Sequence, residues 1–416
     1  MHNFTLIFLA ALVLTTVMQL WLALRHARHV ALHRDEVPAG FARTVGLEAH
    51  RKAADYSVAK TRLGMTEAVA GAAVLLLLTL GGLLDLLGAW WNPSFAVNTH
   101  AYGIALILSV ALLYGIVELP FRLYRVFVIE ARFGFNRLTP RLFVVDLLKQ
   151  TLLALVIGGP LLLLVLWLMD RMGGQWWLYV WVVWMGFNVL LLVIYPTVIA
   201  PMFNKFTPLD DEALRGRIER LFARCGFKAQ GLFVMDSSRR SSHGNAYFTG
   251  FGAAKRIVLF DTLVQSLEPA EVEAVLAHEL GHFTHHHVIK RIGLLFAISL
   301  AFLWLLGFLM TEPWFYSALG VSAPGTAMAL ILFFLAMPVF TFALQPLSSL
   351  YSRKHEFEAD RYAARQASAA DLILALTKLY KDNASTLTPD PLHSAFYDSH
   401  PPAAMRIARL QMRSST

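Results

Sequence analysis

"EVEAVLAHELGHFTHHHVIKRIGLLFAISLAFLWLLGFL", residues 271–309, joins two patterns that decide how the whole chain is built. Its first half sets His278, Glu279 and His282 among small and apolar neighbours at helical spacing. Its second half, from about residue 292, is an uncharged apolar run of the roughly 20 residues that a bilayer crossing takes. Four residues apart on a helix, His278 and His282 share one face, where both imidazoles can hold one Zn2+ about 2.1 Å from each nitrogen. Glu279 stands beside them, suited to take the proton of a water that such an ion acidifies. The three residue types therefore supply two ligands and a general base, on a helix that leads straight into grease.

Working outward, the rest of the chain is equally apolar. Of 416 residues, 57% are hydrophobic and 15% charged, against about 25% charged in soluble domains. Seven runs are long enough to span: 4–24, 66–91, 101–121, 150–169, 176–197, 292–310 and 326–345. The first lacks a basic segment before it and a small-residue cleavage site after it, and so reads as a retained span rather than a signal. The net charge of +8 fits basic residues facing anionic lipid headgroups. No basic-aromatic module is present to argue for nucleic acid. The single cysteine, Cys225, excludes an internal disulfide and reads as a small buried residue.

The loops alternate in charge. The loop after the first span carries Arg25, Arg28, Arg34, Arg43, Arg51 and further basic residues, whereas "NPSFAVNTH" (92–100) has neither Lys nor Arg. Residues 122–149 are basic again, and so is 203–291, whereas "TEPWFYSALGVSAPG" (311–325) has no Lys or Arg. By the positive-inside rule, the N-terminus lies outside and the C-terminus in the cytosol. The expected organisation is 1–202 (spans one to five with their loops), 203–291 (a cytosolic segment with the metal motif), 292–345 (spans six and seven) and 346–416 (a second cytosolic segment).

Within the first cytosolic segment, "DDEALRGRIERLFARCGF" (210–227) has helical spacing, while "GLFVMDSS" (231–238), "NAYFTG" (245–250) and "KRIVLFDTL" (255–263) read as short strands. A helix follows from about Ser266, with Pro269 and Glu271 suiting its first turn. The second segment opens with a helix over 348–367, and "DLILALTKLYKD" (371–382) suggests another.

A catalytic zinc needs a third protein ligand and an open position. A histidine six residues after His282 is one known layout, but that position is Val288, and His285 stands where that layout needs glycine. The ligand must come from elsewhere, and "SRKHEFEAD" (352–360) offers it on the same membrane side. Glu356 and Asp360 lie i, i+4 on one helix face, Glu356 to complete the site and Asp360 to accept the free N–H of a ligating histidine. Glu358 points to another face. His285, His286 and His287 read as flank at the membrane interface. Glu118, near the cytosolic end of the third span, faces either the bundle interior or Arg122 and Arg125, and Asp85 reads as solvated.

Six ordered blocks carry a resemblance: "ELPFRLYRVFVIEARFGFNR" (118–137), "YPTVIAPMFNKFTPL" (195–209), "NAYFTGFGAAKRIVLFDTL" (245–263), "HELGH" (278–282), "SRKHEFEAD" (352–360) and "YDSHPP" (397–402). Over about residues 25–409 the chain resembles the type I CAAX prenyl proteases, the Ste24-like, M48-type integral-membrane zinc metalloproteases. The resemblance implies a mainly α fold of seven transmembrane helices enclosing a chamber, capped by a cytosolic α+β metallopeptidase domain with a small sheet. It places His278, His282 and Glu356 on the family's zinc ligands, Glu279 on its catalytic glutamate, and Asp360 on the acidic residue after the third ligand. It puts Asn245, with Ala246 and Tyr247, on a segment that lines the substrate groove, and His400 on a histidine that steadies the oxyanion. These two have physical rationales of their own: an extended edge pairs with a substrate strand, and an imidazole N–H stabilises developing charge.

The implied activity is a membrane-embedded, zinc-dependent endopeptidase acting on lipid-modified, CAAX-like or membrane-associated polypeptides. A quality-control protease that trims misfolded membrane proteins would carry the same ligands. A transporter or scaffold with a relict zinc site would have no need of Glu279. The chain lacks the long insertions expected of a eukaryotic member, which favours a bacterial inner membrane over the endoplasmic reticulum.

Overall fold

Long uninterrupted apolar runs must satisfy their backbone internally, so in a bilayer they become helices. The computed structural model describes residues 2–227, 231–249 and 256–414. Among these, seven helices are long and apolar enough to cross a membrane: Asn3–Leu32, Leu47–Leu78, His100–Glu130, Pro140–Arg171, Gly173–Phe203, His287–Leu309 and Thr326–Gln366. The protein is a multi-pass membrane protein, mainly α, with one small mixed sheet.

Most of the helices overrun the expected spans, because polar residues continue the helical pattern beyond the apolar part. The second differs in kind. The expected run 66–91 is broken: one helix ends at Leu78 and a separate short one occupies Leu83–Trp91. The break falls at Gly81 and Gly82, and Gly82 takes φ +74°, a conformation open mainly to glycine. Asp85, in the short helix, is not merely solvated: it accepts the backbone N–H of Ser322 at 3.1 Å, tying the short helix to the connection between the sixth and seventh spans. Glu118 is exposed, and the two arginines near it bind elsewhere, Arg122 to Gln150 and Arg125 to Glu67.

The polar parts of four stretches gather at one end of the bundle. The Tyr56 hydroxyl donates to Glu130 Oε1 at 2.5 Å, and Glu130 Oε2 lies 3.5 Å from His243 Nε2. Arg240 donates to both Asp146 oxygens, at 2.8 and 2.9 Å, and Arg25 to both oxygens of Asp390. Polar stretches of the early helices thus hold the segment around 237–243 and the C-terminal segment in place.

That segment contains the sheet: β1 (Phe206–Pro208), β2 (Gly231–Met235), β3 (Ala246–Thr249) and β4 (Arg256–Phe260), in the order β1-β2-β4-β3. β2 and β4 are parallel, and the other two pairs antiparallel. The three sequence-predicted strands form, β4 stopping at Phe260 where a short helix, Asp261–Ser266, begins. The short β1 has no periodicity to announce it.

Beneath the sheet, Ile257 and Leu259 of β4 pack with Ile218 and Leu221 of the helix Glu212–Cys225, with Leu276 and Leu280 of the metal-motif helix, and with Leu372. Each such burial is worth about 1.5–3 kcal/mol. Cys225, at the end of its helix, is half-buried and packs against this core.

Candidate metal centre

The helix that carries the motif, Pro269–Thr284, begins with a capping box: the Glu268 side chain receives the backbone of Glu271, and the Glu271 side chain receives the Glu268 N–H at 2.8 Å. Such caps contribute about 1 kcal/mol and set the helix start, hence the angular position of His278 and His282. The helix stops at His285, His286 turns the chain with φ +56°, and the sixth span begins at His287.

The second contributing helix, Gln345–Gln366, crosses the first at Gly281. A Cβ built there would meet Ala359 Cα at 2.8 Å, so only glycine admits so close a crossing. The close approach brings Glu356 against the histidines. His282 Nε2 lies 3.2 Å from His278 Nε2 and 3.3 Å from Glu356 Oε1, and His278 Nε2 is 3.5 Å from Glu356 Oε2. Glu356 Oε2 is buried and has no hydrogen-bond partner. Two imidazole nitrogens and an orphaned carboxylate oxygen converging on one point form a donor set suited to a divalent ion such as Zn2+.

Behind this cluster the polar groups are fully paired. His278 Nδ1 is 2.9 Å from Asp360 Oδ1, and Asp360 accepts two bonds from Arg406, at 2.6 and 2.9 Å. Burial pulls the His278 pKa down, but the Asp360 and Glu356 carboxylates outweigh it and lift it to about 9. A metal displaces that proton on binding. Burial raises the Glu279 carboxyl above its usual range, toward the pKa that suits a general base at neutral pH.

In front, the structure brings His400 to the cluster: its Nε2 lies 3.4 Å from Glu356 Oε1, and its side chain is 61% exposed. β3 is one of the two edge strands and, among the described residues, is paired on one side only, with Ala246 opposite Leu259 and Tyr247 opposite Val258. Ala246 is buried and Tyr247 half-buried, its hydroxyl pushed up to about 12 by burial. Asn245 is exposed at the start of β3, its Oδ1 accepting the Ala246 N–H. Gly250, at the end of the same motif, lies outside the described residues.

Three partners were missed in the sequence. Arg406 sits on the buried stripe of the helix Ala403–Ser414 with Ala403, Ile407 and Leu410, and a charge on an apolar stripe is a readable signal of a buried partner. Glu358 does point to another face than Glu356, but that face meets His287. His287 is not flank: it is 3% exposed, its Nδ1 lies 3.0 Å from His282 Nδ1, and its Nε2 2.9 Å from Glu358 Oε2. Among the described residues, His287, His355 and Glu358 form a second group whose atoms lie close enough to hold an ion.

The family model for the CAAX prenyl protease N-terminal region with five membrane helices matches residues 26–205, and that for peptidase family M48 matches 208–414. The chain is 38% identical to CAAX prenyl protease 1 of Saccharomyces cerevisiae over 334 residues, covering 76% of this chain and 73% of that protein. This chain belongs to peptidase family M48. As an M48 member it is a membrane metalloendopeptidase of the Ste24-like type. A CAAX prenyl protease 1 homolog of Caenorhabditis elegans is 30% identical over 97% of both chains. The crystal structure of S. mikatae Ste24p matches with a TM-score of 0.90 at 32% identity, over 99% of each chain. Family membership implies a metal and a peptide or protein substrate, and the donor set at His278, His282 and Glu356 fits the metal.

Proposed function

We propose that the chain is a zinc-dependent endopeptidase that cleaves lipid-modified, CAAX-like polypeptides, with His278, His282 and Glu356 holding zinc. The observation that carries this reading is the convergence of two imidazole nitrogens and a buried carboxylate on one point, with Glu279 next to His278 along the helix. Zinc bound there lowers the pKa of water and polarises the scissile carbonyl. Glu279 takes the proton from the attacking water and passes it to the leaving amine. His400, exposed and facing the cluster, donates to the developing oxyanion. The outer edge of β3, with Asn245 just before it, pairs with the substrate backbone and selects little on side chains. Asp360 accepts the His278 N–H and fixes which nitrogen faces the metal.

The bundle supports delivery of substrate from the membrane. Between the spans lies a cavity of about 670 Å³ lined by Tyr114, Trp184, Phe302 and Phe333, and beside the C-terminal segment another of about 410 Å³ lined by His26, Tyr56, Lys60 and His243. The alternation of basic loops supports an N-terminus outside and metal segments on the cytosolic side.

The test is a peptidase assay on the purified full-length protein, with prenylated and plain CAAX-type peptides in parallel, before and after removal of metal by a chelator. Cleavage that a chelator stops and zinc restores, faster for the prenylated peptide, is the expected result. Cleavage indifferent to chelator would end the zinc reading, and equal rates on both peptides would end the lipid-modified substrate class.

A further inference from the structure

We infer that His287 and Glu358 form a relay that orients His282 for metal binding, a role that neither family motif assigns to them. The inference rests on the proposed ligation through His282. A ligand histidine offers its Nε2 lone pair to the ion, and a neutral imidazole has one lone pair and one N–H. In His282 the Nε2 faces His278 and Glu356, so its hydrogen sits on Nδ1. That atom lies 3.0 Å from His287 Nδ1, which must therefore accept. His287 then carries its own hydrogen on Nε2, 2.9 Å from Glu358 Oε2, and donates to it. Every atom has one role, and reversing a tautomer sets hydrogen against hydrogen or lone pair against lone pair.

The two ligands are thus held alike in principle and differently in construction. His278 donates directly to a carboxylate, Asp360. His282 reaches its carboxylate through a second ring. His287 is itself fixed by burial and by the His355 ring, stacked on it at 3.9 Å with planes 8° apart.

A second ion at His287, His355 and Glu358 is the rival use of these residues, and the buried Nδ1 of His355 has no partner. The stacking argues against it. Imidazole lone pairs lie in the ring plane, and two nearly parallel rings stacked with centroids 3.9 Å apart do not aim their lone pairs at one ion about 2.1 Å from both nitrogens. An ion on His287 Nε2 would also displace its bond to Glu358.

The experiment measures zinc affinity and stoichiometry on the purified full-length protein by competition with a chromophoric chelator, with thermal unfolding of the metal-free form as the folding control. His282→Ala should lose tight binding. His287→Phe keeps the stacked ring but leaves His282 Nδ1 without an acceptor, and should weaken zinc binding about 10–100-fold. Glu358→Gln keeps the shape, drops the charge and should weaken it in the same direction by less. At saturating zinc, KM should stay that of the parent, and His355→Phe should bind zinc normally. One zinc per chain is expected. Parent-like affinity in His282→Ala would remove the ligand assignment itself. Loss in His282→Ala with parent-like affinity in both His287→Phe and Glu358→Gln would remove the relay alone. Two ions per chain, with one lost in His355→Phe, would replace the relay with a second metal site.

Discussion

At the back of the His278, His282 and Glu356 cluster, Glu356 and Asp360 are each 4% exposed and Arg406 5%, and the Asp360 carboxylate is bonded to both His278 and Arg406. In front of it, the His400 side chain is 61% exposed, and Asn245 stands exposed just before an edge strand. The back wall is built of buried charges that cost several kcal/mol each to desolvate and are tolerable only when paired with one another or with a metal. The front is built of groups left open to something that arrives. The contrast teaches a division of labour: the wall should govern metal and stability, and the open face should govern turnover and substrate. Substitutions can break that division or sharpen it.

The largest effect should come from the wall. Glu356→Ala removes one of three proposed ligands and should abolish both metal retention and cleavage, measured as zinc content after desalting and as peptidase rate. Full zinc occupancy in this variant would take Glu356 out of the site. Next comes Glu279→Gln, which should keep zinc and lower kcat by about 10²–10⁴-fold, the usual contribution of general acid–base catalysis. The raised pKa of Glu279 also has a sign. The carboxylate acts as a base only when deprotonated, so kcat/KM should fall with decreasing pH from a point above the ordinary carboxylate range.

His400→Ala should keep zinc and lower kcat by about 10²–10³-fold, as loss of one oxyanion donor does; a loss of zinc instead would move His400 to the wall. Gly281→Ala forces the two helices apart at the Ala359 contact. It should cost about 1–3 kcal/mol, the range for overpacking a tight site, read as a lower unfolding temperature together with weaker zinc binding. The smallest effect belongs to Asn245→Ala. Loss of one hydrogen bond of about 0.5–1.5 kcal/mol should raise KM roughly two- to tenfold and leave zinc affinity alone.

Local patterns explain what was legible in advance. The metal-motif helix shows its spacing, its Pro269 and its Glu271 within one short window, and it forms from Pro269 with that glutamate in a capping box. Apolar runs likewise mark seven spans, because a bilayer demands the same length and composition whatever surrounds the helix. The i, i+4 spacing of Glu356 and Asp360 is legible for the same reason, as is the different face of Glu358. The expectation that His287 is flank fails for a reason of the opposite kind. Its burial depends on a left-handed turn at His286 and on a helix some 70 residues away in sequence, and no window contains both.

The sequence by itself therefore determined the membrane class, the count of spans, the strands over β2, β3 and β4 and the residue types able to hold a metal, since each follows from periodicity or from chemistry carried within a few residues. Only the tertiary structure decided that the second span breaks at Gly82, that β3 takes an edge of the sheet, that Arg406 is the partner of Asp360, and that His282 leans on His287. Those features depend on how closely elements far apart in the chain approach. Here that distance is set by a missing Cβ at Gly281 and by the pairing of buried charges, neither of which has a period to read.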